Sequence, residues 1–472
     1  MTNSNGLFRK KTLEMILADT ESEQYKLKKS LTAIDLVALG IGAIIGTGIF
    51  VITGVAAAEH AGPAIILSFV LAGLACAFAA ISYAEFASMF PIAGSTYSYS
   101  YVALGEIFAW IIGWDLILEY VFALPAIALG WSGYFTNLLA SIGINIPDWA
   151  AHSAWQGPGG LINLPAIGIL LLVAALVYIG TRESATVNNI AVAFKVFVVL
   201  FFIVVAVWHV KPVNWHPFMP YGWKGVFTGA AIVFFAYIGF DAVSTAAEET
   251  KNPARDLPIG ILGSLGISTI LYIAVAAILT GVVSYARLND PAPVAKALNI
   301  IGLNWARGLV SIGALTGITT VLLVMTYGST RIIFAMSRDG LLPPAFSKLH
   351  PKFRTPTLAI YLIAIATSLV AGFLPIGIIA ELVNIGTMLA FVLVSISVIV
   401  LRYTQPDLPR KFRAPGVPWT PLLAIIFVGA LMASLPWETW VRLIVWLIIG
   451  LIIYFSYGRH HSKLAQEKQQ LK

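Results

Sequence analysis

The chain has 472 residues, of which 59% are hydrophobic and 11% charged, and its mean hydropathy is +0.87. That is too apolar for a water-soluble surface of ordinary charge density, so lipid must be the solvent. The net charge of +7 lies in short segments between apolar runs, the pattern of a membrane orientation bias and not of a nucleic-acid surface, and the single Cys76 can form no intrachain disulfide and identifies no redox compartment.

Residues 1–32 are polar and read as a cytoplasmic segment; the first apolar run after them is too long for a signal-peptide core and is expected to stay as a span. Within that segment LFRKKTLEMIL, at 7–17, fits either a helix lying on the inner leaflet or a solvated tail. Apolar runs follow near 33–58, 62–88, 107–139, 164–180, 186–208 and 226–247, then 257–283, 307–330, 357–374, 377–401, 419–435 and 440–457. Runs of this length without alternation exclude a barrel, so the expected fold class is an all-α membrane protein with twelve transmembrane helices. With both termini on one side, most Lys and Arg fall on that side, which assigns both termini to the cytoplasm of a multi-pass cell-membrane protein. Residues 140–163 then form an outer loop bearing Trp and Pro, and the tail at 458–472 is cytoplasmic, polar and expected to be disordered.

The first run contains GIGAIIGTGIF, with Gly40, Gly42, Gly46 and Gly48 in its middle. So many glycines weaken a continuous helix, although Gly42 and Gly46 also form a GxxxG packing pattern. Thr47 between two glycines favours the break: an unwound turn there presents a hydroxyl and free N–H groups at the positive end of a half-helix, which suits a carboxylate. In the sixth run, FFAYIGFDA, Gly239 interrupts the pattern and Asp241 follows inside the span. Unwinding around Phe235 to Gly239 would expose carbonyls able to accept from an ammonium group; an ordinary glycine contact is the competing reading. Donors at one break and acceptors at the other match the zwitterion shared by all amino acids.

Spacing supports this. Residues 33–210 and 225–401 form halves of nearly equal length with five runs each and the suspected break in the first run of both, and odd-numbered halves insert in opposite orientations. Residues 419–457 fall outside that inverted repeat.

Lys195 lies mid-run, with its backbone roughly 16 Å or more along the helix from either end, too far to snorkel. Holding a charge there costs about 2.5 to more than 10 kcal/mol by disputed estimates, so the side chain should face the bundle interior and either find acceptors or lose its proton. Asp115 and Glu119 share a helix face; Glu119 either pairs with Lys195, relays protons or is only solvated. Asp241 either stabilises the broken helix or reaches the cavity. The seven histidines all lie in or beside loops, and none reads as a metal ligand; no metal or cofactor is expected.

The ordered motifs GIGAIIGTGIF (40–50), YAEFASMFPIAGSTYSYSYVALGE (83–106), GWDLILEY (113–120), RESATVNN (182–189), GFDAVSTAAEETKNPARDLPIGI (239–261), RIIFAMSRDGLLP (331–343) and NIGTMLAFVLVSISVIVLRY (384–403) resemble the amino acid–polyamine–organocation superfamily, most closely its cationic amino acid transporter branch in a shorter, bacterial form. The resemblance implies the leucine-transporter-type five-plus-five inverted repeat with discontinuous helices 1 and 6. It places the substrate carboxylate on Thr47 and Gly48 and the amino group on the carbonyls of Ile44, Phe235, Ala236 and Ile238. It sets Lys195 where sodium-coupled cousins hold sodium, implying a sodium-independent, proton-coupled carrier with Glu119 and Asp241 as further proton-handling candidates. Met325 either shortens the pocket or only fills the core; the first reading favours small neutral L-amino acids such as alanine, with arginine and lysine as the alternative. A small membrane partner is left open. The usual residues of an integral-membrane enzyme (HExxH, GxSxG) and of an ATP-driven pump (GxxxxGK) are missing, so no enzyme is expected; a channel or sensor would be separated from a carrier by saturation and counterflow.

Overall fold

Long apolar runs with few interruptions satisfy their backbone groups internally as helices, and the structure follows that rule. A computed structural model describes residues 7–11, 31–90, 95–154, 159–179, 185–353 and 355–470. Of the 1–32 segment, 1–6 and 12–30 lie outside the described residues, as do 155–158 of the outer loop. Among the described residues all regular secondary structure is helical, apart from isolated bridges. Eight helices are long and apolar enough to cross a membrane, and the remaining apolar helices are shorter, at 10–17 residues.

In chain order the helices are α1 (Ala33–Ile44), α2 (Gly48–Met89), α3 (Ser95–Ala103), α4 (Glu106–Ser141), α5 (Leu164–Ile179), α6 (Ala185–Ala206) and α7 (Gly222–Val233). They continue with α8 (Pro253–Val282), α9 (Pro293–Ile300), α10 (Asn304–Arg338), α11 (Thr357–Phe373), α12 (Ile376–Thr404), α13 (Trp419–Ala433), α14 (Trp437–Ile453) and α15 (Lys463–Gln470). The first two expected runs are redistributed: the chain breaks after α1, and α2 then runs on through a bend at Gly62, whose φ is +61°.

Two groups of helices pack against each other. One joins α1, α2 and α8; the other joins α4, α10 and α12, with α5 against α11, and α6 touches both α1 and α10. Small residues let α1 and α8 approach closely: a Cβ on Gly40 would fall 2.3 Å from Ser264 Oγ, and one on Gly260 would fall 2.7 Å from the Leu36 Cβ. The glycines of α1 therefore serve packing as well as the break.

Two expectations change. Residues 7–11 are not helical but lie as a strap across α3, α4 and the end of α10, with Lys10 Nζ donating to the Ala103 carbonyl at 2.6 Å and Lys11 Nζ 2.7 Å from Asp339 Oδ1; residues 12–17 are outside the described residues. Burial pushes the Lys10 ammonium below its usual range. The tail, expected to be disordered, forms α15 over 463–470, because Leu464 is buried and Ser462 both starts the helix with its carbonyl and donates its hydroxyl to Glu106.

Candidate functional site

The first break follows from weak helix formers in sequence. α1 stops at Ile44, Ile45 is extended (φ −76°, ψ 103°), and the helix restarts with a wide π-helical turn over Gly48–Ile52. Gly48 is needed for proximity: a Cβ there would sit 2.3 Å from the Ala236 Cα, so the two breaks touch at that point. The buried Thr47 hydroxyl donates to the Ile127 carbonyl of α4 at 3.3 Å.

The second break lies beyond α7. The helix tightens into a 3-10 turn over Phe234–Tyr237, Ile238 is extended (φ −59°, ψ 133°), and Gly239 takes φ +116° before a second 3-10 run over Phe240–Glu249. That left-handed angle suits glycine, and a Cβ there would also lie 2.9 Å from the Ala43 carbonyl carbon. Asp241 is buried in the first turn of the resumed run.

Between the breaks lies a small cavity of about 20 Å³, room for roughly one water in this conformation. Ile44, Thr47 and Gly48 line it from the first break, and Phe235 and Ile238 from the second. Met325 of α10 lines it too and belongs at the same time to the packed hydrophobic core. Ala236 is placed just behind, against Gly48. The sequence reading did not assign Ala43 on α1, Gly46 at the first break, Ala123 and Ile127 on α4 or Val321 on α10 to the wall, and all of them line it. Their i, i+4 spacing (Ala123 with Ile127, Val321 with Met325) is the available signal, since it puts each pair on one helix face. Tyr272 of α8 was also missed: its hydroxyl is 2.8 Å from the Ile44 carbonyl and 2.8 Å from the Ala236 carbonyl, touching both breaks at once.

Lys195 on α6 is fully buried. Its Nζ donates to the carbonyls of Gly42 at 2.7 Å, Ile45 at 3.0 Å and Gly317 of α10 at 3.2 Å. The interruption after Ile44 is what makes the Gly42 and Ile45 carbonyls available, so the ammonium ties the first break to the opposite helix group. Glu119 lies instead against the Thr387 hydroxyl and within electrostatic reach of Asp241. Asp115, one turn away on α4, is fully buried with neither carboxyl oxygen hydrogen-bonded among the described residues, and Gly386 leaves the space it occupies. Among the described residues no cluster of His, Cys, Asp and Glu could hold a metal ion.

Long apolar helices around a small internal hollow, with two helices interrupted beside it, define a multi-pass helical membrane protein of the permease class. A family model described as "Amino acid permease" matches residues 31–456, and the chain belongs to that family, within the amino acid–polyamine–organocation superfamily. The chain is 55% identical to the branched-chain amino acid permease BcaP of Bacillus subtilis, over 98% of this chain and 99% of that one. It is 51% identical to the methylthioribose transporter of the same organism over the same shares, and 38% identical to the vacuolar cationic amino acid transporter 4 of Arabidopsis thaliana over 85% of this chain and 68% of that one. The protein is an amino acid transporter of the membrane and not an enzyme.

Proposed function

We propose that this protein is a secondary active, alternating-access carrier of neutral L-amino acids with apolar side chains, from alanine up to the branched-chain set, driven by protons and independent of sodium. The carboxylate is taken by the N–H groups at Thr47 and Gly48 and the amino group by the carbonyls of Ile44, Phe235, Ala236 and Ile238. The observation that carries the side-chain assignment is the apolar wall beyond those groups: Ala123, Ile127, Val321 and Met325 give an alkyl group favourable contacts, and among the described residues no carboxylate lines the cavity to meet a guanidinium or ammonium. The name of the Bacillus subtilis relative BcaP supports branched-chain substrates. The cationic reading is favoured by the names of the plant relatives but lacks that partner in the pocket.

Proton coupling follows from Lys195. Its ammonium fills three carbonyls at the first break, and loss of its proton removes both the charge and one donor, so the geometry of the substrate site depends on its protonation. A resident ammonium also occupies the position a sodium ion would need. We place the carrier in the cell membrane with both termini in the cytoplasm. Its twelve spans would be arranged as the inverted halves 33–210 and 225–401, then 419–457 and the tail at 458–472, with 1–32 as the N-terminal cytoplasmic segment.

Uptake of labelled alanine, leucine, arginine and methylthioribose into proteoliposomes, with and without an inward proton gradient and with sodium varied, tests this reading. Saturable, gradient-driven alanine and leucine uptake without sodium is expected. Uptake confined to arginine or to methylthioribose, or dependence on sodium, would overturn it.

A further inference from the structure

Tyr272 belongs to α8, not to either broken helix, yet its hydroxyl lies 2.8 Å from the Ile44 carbonyl of the first break and 2.8 Å from the Ala236 carbonyl of the second. Those two carbonyls come from segments about 190 positions apart in sequence, and each has lost its ordinary intrahelical partner because the helix stops there. A shared partner at one oxygen keeps them converging on a single point.

The side chain is fixed for this purpose. It is fully buried, and its ring packs against Phe69 at a centroid distance of 5.5 Å and Tyr237 at 5.4 Å. Tyr237 is held in turn by its hydroxyl, which donates to the Phe69 carbonyl at 2.8 Å. The phenol therefore cannot swing away without disturbing a packed aromatic group.

A phenol has one hydrogen for two carbonyls, whereas each carbonyl oxygen has two lone pairs. The hydroxyl thus covers the carbonyls only in part and leaves acceptor capacity aimed at the same place. An ammonium group, with three hydrogens, is the donor that this leftover capacity fits.

We infer that Tyr272 is a positioning residue for the substrate's amino group: its hydroxyl holds the Ile44 and Ala236 carbonyls convergent while the site is empty and shares them with the ammonium when it is filled. This rests on the assignment of the two breaks as the amino-acid site given above, and adds to it a third helix that sets their spacing. The gain is preorganisation, since the carbonyls need not be gathered at the moment of binding.

The test is the kinetics of labelled alanine uptake in proteoliposomes containing the wild-type carrier or Tyr272→Phe, which keeps the ring and its packing and removes only the hydroxyl. KM should rise roughly tenfold, the effect of one well-placed hydrogen bond, while Vmax at saturating alanine is retained. An unchanged KM, or a fall in Vmax alone, overturns the inference, because a merely structural hydroxyl would lower folded yield or turnover without moving KM. If Tyr272→Phe gives no folded protein, Tyr272→His, which keeps a ring donor on a shorter side chain, is measured the same way: a raised KM supports the inference and a wild-type KM overturns it. Failure of the wild-type carrier itself to take up alanine, leucine or any other free amino acid would instead sink the site assignment on which this stands.

Discussion

A buried ammonium held by three carbonyls is retained only while those carbonyls stay in place, so Lys195 and the first break depend on each other. Each hydrogen bond from a charged donor contributes about 1.5–3 kcal/mol, against a cost of several kcal/mol for placing the charge inside the membrane. Lys195→Ala should therefore abolish proton-driven accumulation in proteoliposomes while leaving measurable substrate exchange; full uphill transport by that variant would remove Lys195 from coupling. Met325 acts at the other side of the cavity, where Met325→Ser should widen the pocket and admit longer side chains, read as new competitors of labelled leucine uptake. An unchanged competitor profile would show that Met325 does not set the pocket's length. Both residues stood out in the sequence for physical reasons: a lysine mid-run has no route to water, and a methionine among Leu, Val and Thr is the bulkiest adaptable side chain of its helix face. Tyr272 did not stand out. A tyrosine in an apolar run looks like any membrane aromatic, and the carbonyls it meets are supplied by two distant segments whose approach only the tertiary packing reveals.

At the scale of elements, the breaks depend on backbone conformation more than on side chains. Gly239 at φ +116° combines a left-handed angle with a neighbour, the Ala43 carbonyl carbon, at 2.9 Å from where a Cβ would be. Gly239→Ala should cost about 1–3 kcal/mol from the angle alone, more with the clash, and should lower the thermal midpoint of the detergent-solubilised protein. A wild-type midpoint would mean that the second break relaxes without penalty. The apolar runs and both breaks could be read in the sequence, because hydrophobicity over twenty residues and glycine within a span are strong local signals. What could not be read were the features set by partners. The continuous α2 past Gly62 is one, and the 3-10 form of 240–249 is another. The helical tail was hidden by its polar composition and becomes intelligible only once Leu464 and Ser462 are seen against the bundle.

Across the whole molecule, buried ion pairs fasten the two helix groups at one end. Glu85 at the end of α2 accepts from Arg402 of α12 through both oxygens, at 2.8 and 2.7 Å, lies 3.3 Å from Arg410 Nε, and accepts from the Ala414 N–H at 2.7 Å. Glu106 at the start of α4 likewise gathers the hydroxyls of Tyr101, Tyr454 and Ser462 and the guanidinium of Arg9. Removing one partner of such a cluster leaves a buried charge unanswered, so Glu85→Gln should destabilise the fold by about 3–5 kcal/mol, seen as a lower thermal midpoint; an unaltered midpoint would show that the cluster is ornamental. These fastenings hold the scaffold around the hollow, which we propose receives the two charged ends of one small molecule. The direct test is counterflow of labelled alanine into proteoliposomes in the presence of valine, isobutylamine or isovalerate, which carry both charged groups, the ammonium alone and the carboxylate alone. The account predicts competition by valine only, and competition by either the amine or the acid at the level of valine would contradict it.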